Sequence, residues 1–195
     1  MQIHYDFFKV ENENMAPRQG RILISEPLLS DSYFKRSVVL LTEHSENGSV
    51  GFVLNKPIDL SINEVIKDFP KFDTQLYVGG PVGKDTVHYI HTLGEMIPHS
   101  VHVKDDIYWG GDFDRVKELI EEGLIESSQI RFFLGYSGWS PRQLEGEIEN
   151  NAWLISEVKG SWIMSPDENM WKEVLNSLGN RYKIWTNCPE NPALN

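Results

Sequence analysis

Apolar residues in this chain fall into short runs rather than long helical stripes. Gly20 to Ser25 (GRILIS), Ser37 to Thr42 (SVVLLT), Val50 to Asn55 (VGFVLN) and Thr86 to His91 (TVHYIH) are such runs. So are Leu76 to Val78, Ile107 to Trp109, Ile130 to Leu134 (IRFFL) and Ala152 to Ile155. Rich in β-branched and aromatic residues and bounded by Gly, Pro, Asn and Ser, they read as strands. Asn47-Gly48 between two of them predicts a hairpin, because both residues tolerate positive φ. Helical spacing appears between other runs. Ser61-Ile62-Asn63-Glu64 is a capping box opening a short helix with Ile62, Val65, Ile66 and Phe69 inside. Asp112 caps a helix carrying Phe113, Val116, Leu119 and Ile120, and Gly123 closes it.

The most informative stretch is Ile130–Ser156. It reads as a strand, a turn bounded by Gly135, Ser137 and Gly138, a helix started by Ser140-Pro141-Arg142-Gln143, and a second strand. Leu144 and Ile148 put one stripe of that helix on the sheet. Ser165-Pro166-Asp167-Glu168 repeats the start before a helix with Met170, Trp171, Val174, Leu175 and Leu178 inside. Between these, Lys159-Gly160-Ser161 reads as a turn and Trp162 to Met164 as a strand end, while Met96 to Val103 is ambiguous. Hairpin-linked strands mixed with helix-linked ones mean an α+β or mixed α/β domain, not a doubly wound parallel one. The 195 residues fit one domain, 1–195, with residues 1–19 as an N-terminal arm and 187–195 as a loose tail.

Charge narrows the function classes. Eighteen basic residues against 29 acidic ones give −11, which disfavours nucleic acid and anionic membrane surfaces as partners. No apolar stretch at the N-terminus reads as a signal peptide or a span. The single cysteine, Cys188, rules out an intrachain disulfide framework and fits a reducing, cytoplasmic compartment.

Candidate chemistry centres on the 136–142 turn. Gly135-Tyr136-Ser137-Gly138-Trp139 approaches a nucleophile elbow, but Trp139 stands where that motif needs glycine, and no His and acid are placed to serve Ser137. No catalytic residue is assigned. Amides ahead of a helix N-terminus favour a negative group, and Arg142 adds charge. Tyr136, Ser137, Gly138, Trp139, Ser140 and Arg142 are therefore candidates for contacting a ligand or partner. His88 and His91 lie three apart on a strand and face opposite ways, and no zinc-type cluster of Cys, His and carboxylate recurs around them or His99-x-x-His102, so no metal site is expected. Gly79-Gly80-Pro81 lacks both dinucleotide and P-loop patterns, Gly110-Gly111 is an ordinary strand-to-helix turn, and no cofactor is expected. An enzyme would need carboxylates such as Glu43, Asp112 or Glu145 to converge in three dimensions. The helix from Asp112 is followed by a strand-like run, so no recognition-helix pair for DNA is present.

Several blocks together carry a resemblance. Gly20-Arg21-Ile22-Leu23 with Pro27-Leu28-Leu29, Phe34 to Leu41, Gly51-Phe52-Val53-Leu54-Asn55-Lys56-Pro57, Gly79-Gly80-Pro81-Val82, and Gly135 to Trp139 with Gln143-Leu144-Glu145 and Glu147-Ile148 resemble the AlgH/YqgE family of bacterial proteins. The resemblance implies a compact domain whose mostly antiparallel, bifurcated sheet forms a pseudo-barrel flanked by helices. It also implies a cytoplasmic protein without established activity; some members carry a transcriptional-regulator label that rests on no DNA-binding module. The expectation is a non-enzymatic binding or regulatory module with an unknown protein or small-ligand partner. The alternatives are an enzyme or small-anion binder at 136–142, and a direct DNA-binding regulator, which the net charge disfavours.

Overall fold

The computed structural model describes Val10, residues 15–165 and residues 167–189. Most of the expected N-terminal arm, Pro166, and residues 190–195 of the expected tail lie outside the described residues.

Among the described residues, ten strands form one sheet: β1 (Ile22–Ser25), β2 (Val38–Ser45), β3 (Gly48–Val53), β4 (Pro57–Ile58), β5 (Leu76–Val78), β6 (Val82–His91), β7 (Val101–Lys104), β8 (Ile107–Trp109), β9 (Ile130–Trp139) and β10 (Trp153–Ser156). The main path runs β10-β1-β2-β3-β9-β6-β8-β7, with β5 joining β4 to β9 off that path. All pairs are antiparallel except β5 with β9. The sheet is mixed and mostly antiparallel, and it forks as the resemblance implied. Its path stays open, ending at β10 and β7, and does not close on itself.

Strand β9 makes the fork. Its first half pairs with β5, from Leu76↔Phe132 to Val78↔Leu134, while its second half pairs with β3, from Gly51↔Ser137 to Ser49↔Trp139. β6 follows its other edge. The junction is Gly135, at φ +68°. The strand therefore continues through the segment read from sequence as a glycine-bounded turn. A glycine at positive φ serves a bulge as readily as a turn. Around it the backbones touch: a Cβ on Gly79 would sit 2.2 Å from the Gly135 carbonyl oxygen, and one on Gly135 would sit 2.7 Å from that of Val82. The Gly79 carbonyl accepts from Val53 N–H at 2.9 Å, and its N–H donates to Leu134 at 2.9 Å, so β3, β5 and β9 are tied at one residue.

Both faces of the β1–β3 arm are covered, which is why these strands are continuous apolar runs. Ile22, Ile24, Leu40, Phe52 and Leu54 face α5 (Met170–Ser177) and α6 (Lys183–Thr186) in a core that includes Trp171, Leu175 and Trp185. Leu23, Val39, Leu41 and Val53 face the other way, onto Leu144 of α3 (Gln143–Glu149) and Trp139 and Trp153. The second arm buries Phe132 and Tyr89 against α1 (Ile62–Val65) and α2 (Phe113–Glu121). The caps read from sequence form. Glu64 accepts from Ser61 N–H at 2.7 Å, Asp112 Oδ1 accepts from Asp114 and Arg115 N–H, and Gly123 and Leu124 close α2 on Ile120 and Leu119. The hairpin loop is Glu46-Asn47, one residue earlier than expected, with Gly48 opening β3 at φ +122°. Residues Gly160–Met164, read as turn and strand end, form α4 instead, and α5 begins only at Met170.

Gly79→Ala should lower unfolding free energy by about 3 kcal/mol, because its Cβ meets a backbone oxygen that cannot move aside. Gly146→Ala, on the α3 surface with nothing within 4 Å of a new Cβ, should raise it by about 0.5–1 kcal/mol. Urea denaturation of the two variants checks both signs.

Candidate functional site

Alternation along β9 sends the predicted contact residues to different places. Ser137 is fully buried and its hydroxyl donates to the Gly79 carbonyl at 3.0 Å, so it helps close the fork. Trp139, 5% exposed, donates its indole N–H to Glu147 at 2.9 Å, and Trp153 donates to the same oxygen at 2.8 Å. Phe34 stacks on Trp139 and meets Trp153 edge-on. Tyr136 and Gly138 are half-buried on the opposite face, with Tyr136 edge-on to His88. Ser140 and Arg142 are exposed. The helix begins at Gln143, not at Pro141: Arg142 precedes it in the left-handed region at φ 64°, and Gln143 Oε1 accepts from Ser140 N–H at 3.0 Å. That two-turn helix, entered through a left-handed residue, presents no aligned row of free amides to an anion.

The carboxylates weighed for catalysis do not gather. Glu43 is exposed on β2, and Asp112 is engaged in capping α2. Glu145 has a titratable neighbour, His44, at 3.7 Å, and His44 Nδ1 lies 2.7 Å from Ser49 Oγ. This line has the composition of a nucleophile–base–acid array, but Ser49 is 5% exposed on β3, between β2 and β9. His91 and His88 are packed within the fold. His91 is fully buried; its Nδ1 accepts from Leu93 N–H, so Nε2 carries the proton toward Gly110 O and Ser100 Oγ, each at 3.0 Å. Burial holds its pKa below the ordinary value, and the hydrogen bond to Gly110 partly offsets this. His88 packs on Phe52, across the strand from His91. Among the described residues no three His, Cys, Asp or Glu side chains gather as a metal site.

A different place along β9 is better built. Its first residues, the segment leading into β5, residues 127–128 and both ends of α4 line a cleft of about 670 Å³. Its rim carries Thr74, Ser127, Ser161 and Ser165, its wall Tyr77 and Met164, and Asp73 stands at the mouth. Arg131 also lines it, 4% exposed. One guanidinium nitrogen donates to Ile163 O at 2.5 Å and another to Leu54 O at 2.6 Å, so Arg131 ties the end of β3 to α4. Its charge lies over the Tyr77 ring, 4.3 Å from the centroid, and its buried Nε–H has no partner among the described residues. Burial lowers its pKa, and the Tyr77 oxygen partly offsets this. Sequence reading passed over Arg131; the available signal was one charge inside an apolar run. A second cleft, about 360 Å³, is lined by Lys35, Arg36, Lys56 and Lys172 facing Glu168.

A forked, open, mostly antiparallel sheet with helices on its faces is the class of fold. The family model described as AlgH-like (DUF179) matches residues 22–183. The chain is 47% identical to a UPF0301 protein of Bacteroides fragilis over 197 residues, covering all of both chains, and 48% identical to one of Cytophaga hutchinsonii over 180 residues, covering 91% of this chain and 98% of that one. The solution structure of the AlgH protein from Pseudomonas aeruginosa is similar, with a TM-score of 0.71 at 27% identity, covering 90% of this chain and 97% of that one. A crystal structure from Corynebacterium diphtheriae shares the fold, with a TM-score of 0.72 at 24% identity over 89% of this chain and 94% of that one. The chain belongs to the AlgH-like, UPF0301 family, whose function is uncharacterised. No helix among the described residues is long and apolar enough to cross a membrane.

Glu147 is the positioning group for the tryptophan pair. Glu147→Leu should cost about 2 kcal/mol by leaving two indole N–H groups unpaired, and Glu147→Gln, which keeps an acceptor, about half that. Urea unfolding followed by tryptophan fluorescence checks the order.

Proposed function

We propose that this chain is a non-enzymatic binding module of the bacterial cytoplasm that takes a small ligand in the cleft at the head of β9. One observation carries the reading: segments 73–77, 127–131 and 161–165, far apart in sequence, converge on a concavity with an apolar wall and a hydroxyl rim. Small-molecule sites have this construction, and their few polar groups fix orientation. Binding is favoured over catalysis because the carboxylates are dispersed and the His44 line reaches a buried serine. A regulatory role would act through occupancy of this cleft rather than through DNA, whose phosphates a chain of net charge −11 repels.

Equilibrium dialysis against the small-molecule fraction of a bacterial extract, read by mass spectrometry, tests this. A compound should be retained by the native chain, lost on Ser161→Trp, and recovered chemically unchanged after prolonged incubation. Retention of nothing, or conversion of the retained compound, would contradict the proposal.

A further inference from the structure

Among the described residues, Arg131 is a buried cation without a counter-ion. Arginine stays protonated in proteins, and moving its charge out of water costs several kcal/mol unless an opposite charge repays it. Carbonyl oxygens of Leu54 and Ile163 and the faces of Tyr77 and Phe133 orient the guanidinium, but none carries a charge. No carboxylate among the described residues lies within ion-pair distance of it. Asp73, the carboxylate on the cleft, is exposed at the mouth and makes no pair with it. No hydrogen bond among the described residues engages the hydroxyls of Thr74, Ser127, Ser161 and Ser165, which line the cleft beside Arg131.

We infer that the cleft takes its ligand by an anionic group, a carboxylate or phosphate, held against Arg131 and the rim hydroxyls. The inference rests on the cleft being the binding site. A fixed positive charge lining a concavity attracts an anion more strongly than it would in water, because the low-dielectric wall screens it little. The two carbonyl bonds preorganise the guanidinium, so little side-chain entropy is lost on binding. The apolar wall of Tyr77 and Met164 fits a ligand with a carbon body behind its anionic end rather than a bare inorganic ion. Such a ligand would complete the coordination of a residue whose other role is to tie β3 to α4. Asp73 at the mouth works against binding, so occupancy is weaker than the arginine alone would give.

Two-dimensional ¹H–¹⁵N NMR of the full chain tests this, with sodium phosphate and sodium acetate titrated against sodium chloride at matched ionic strength. The Arg131 Nε–H and the amides of Ile130 and Ser161 should shift saturably with phosphate, acetate or both, and not with chloride; which anion acts separates the two headgroups. Ser161→Asp, at an exposed rim position that leaves Arg131 in place, should weaken binding about tenfold, and Asp73→Asn should tighten it about threefold. No saturable shift, an equal response to chloride, or shifts confined to Lys56 and Lys172 of the other cleft would overturn the inference. An uncharged compound retained in dialysis and held equally well by Ser161→Asp would overturn it while leaving the cleft as a binding site. If dialysis retains nothing and the anions shift nothing, both readings fall.

Discussion

Three strands of backbone meet at one point, and they can meet only without side chains. At Gly79 and Gly135 the main chains of β5 and β9 are in direct contact, and the Gly79 carbonyl is shared by Val53 N–H and the Ser137 hydroxyl. This contact lets one ten-residue strand serve two arms of a sheet. Without it, β9 would keep one neighbour along its whole edge, and the two arms would not share a frame. The cleft depends on the same device. β5 and β9 run parallel up to the fork, so their starts lie side by side, and both line the cleft.

Covering follows from forking. A strand arm flanked by helices on both sides buries every residue, so β1 and the first half of β2 contain no alternation at all. On one side, α5 and α6 supply Trp171 and Trp185; on the other, the Trp139–Trp153 pair is fixed by a single carboxylate, Glu147. Arg131 belongs to this system as well as to the cleft, since its carbonyl bonds reach 77 residues back to Leu54 and 32 forward to Ile163. A residue that holds the fold and also presents a charge to a cavity makes the cleft's shape depend on the core.

Local chemistry was legible in the sequence wherever it decided structure locally. Ser61 with Glu64, Asp112, and Gly123 with Leu124 act as caps because the groups that satisfy the helix ends lie within a few residues. The strand runs were legible because continuous burial leaves a continuous apolar signature. Gly135 was not. Positive φ at a glycine fits a turn and a bulge equally, and only the nearness of Gly79, 56 residues away, decides between them. Pro141 and Arg142 misled for a similar reason: a left-handed residue displaced the helix start by two positions. Of the predicted contact residues, Ser137 and Trp139 are turned inward by the strand alternation that the turn reading had erased. Arg131 was hidden because a lone charge in a strand ordinarily faces water, and what holds it inside comes from two distant carbonyls.

Family membership supplies a fold and a set of relatives, while the reading of the cleft comes from this chain's own residues. What joins the two is the rigidity of the fork, since a cleft built on it is preformed. Native-state hydrogen exchange of the Val53 and Gly79 amides, one donating to the Gly79 carbonyl and the other to Leu134, measures that rigidity most directly. Both should exchange only through global unfolding, with protection equal to the stability from urea denaturation. Exchange of either through a local opening well below that value would show that the strands part at the fork while the domain stays folded, and would contradict the account.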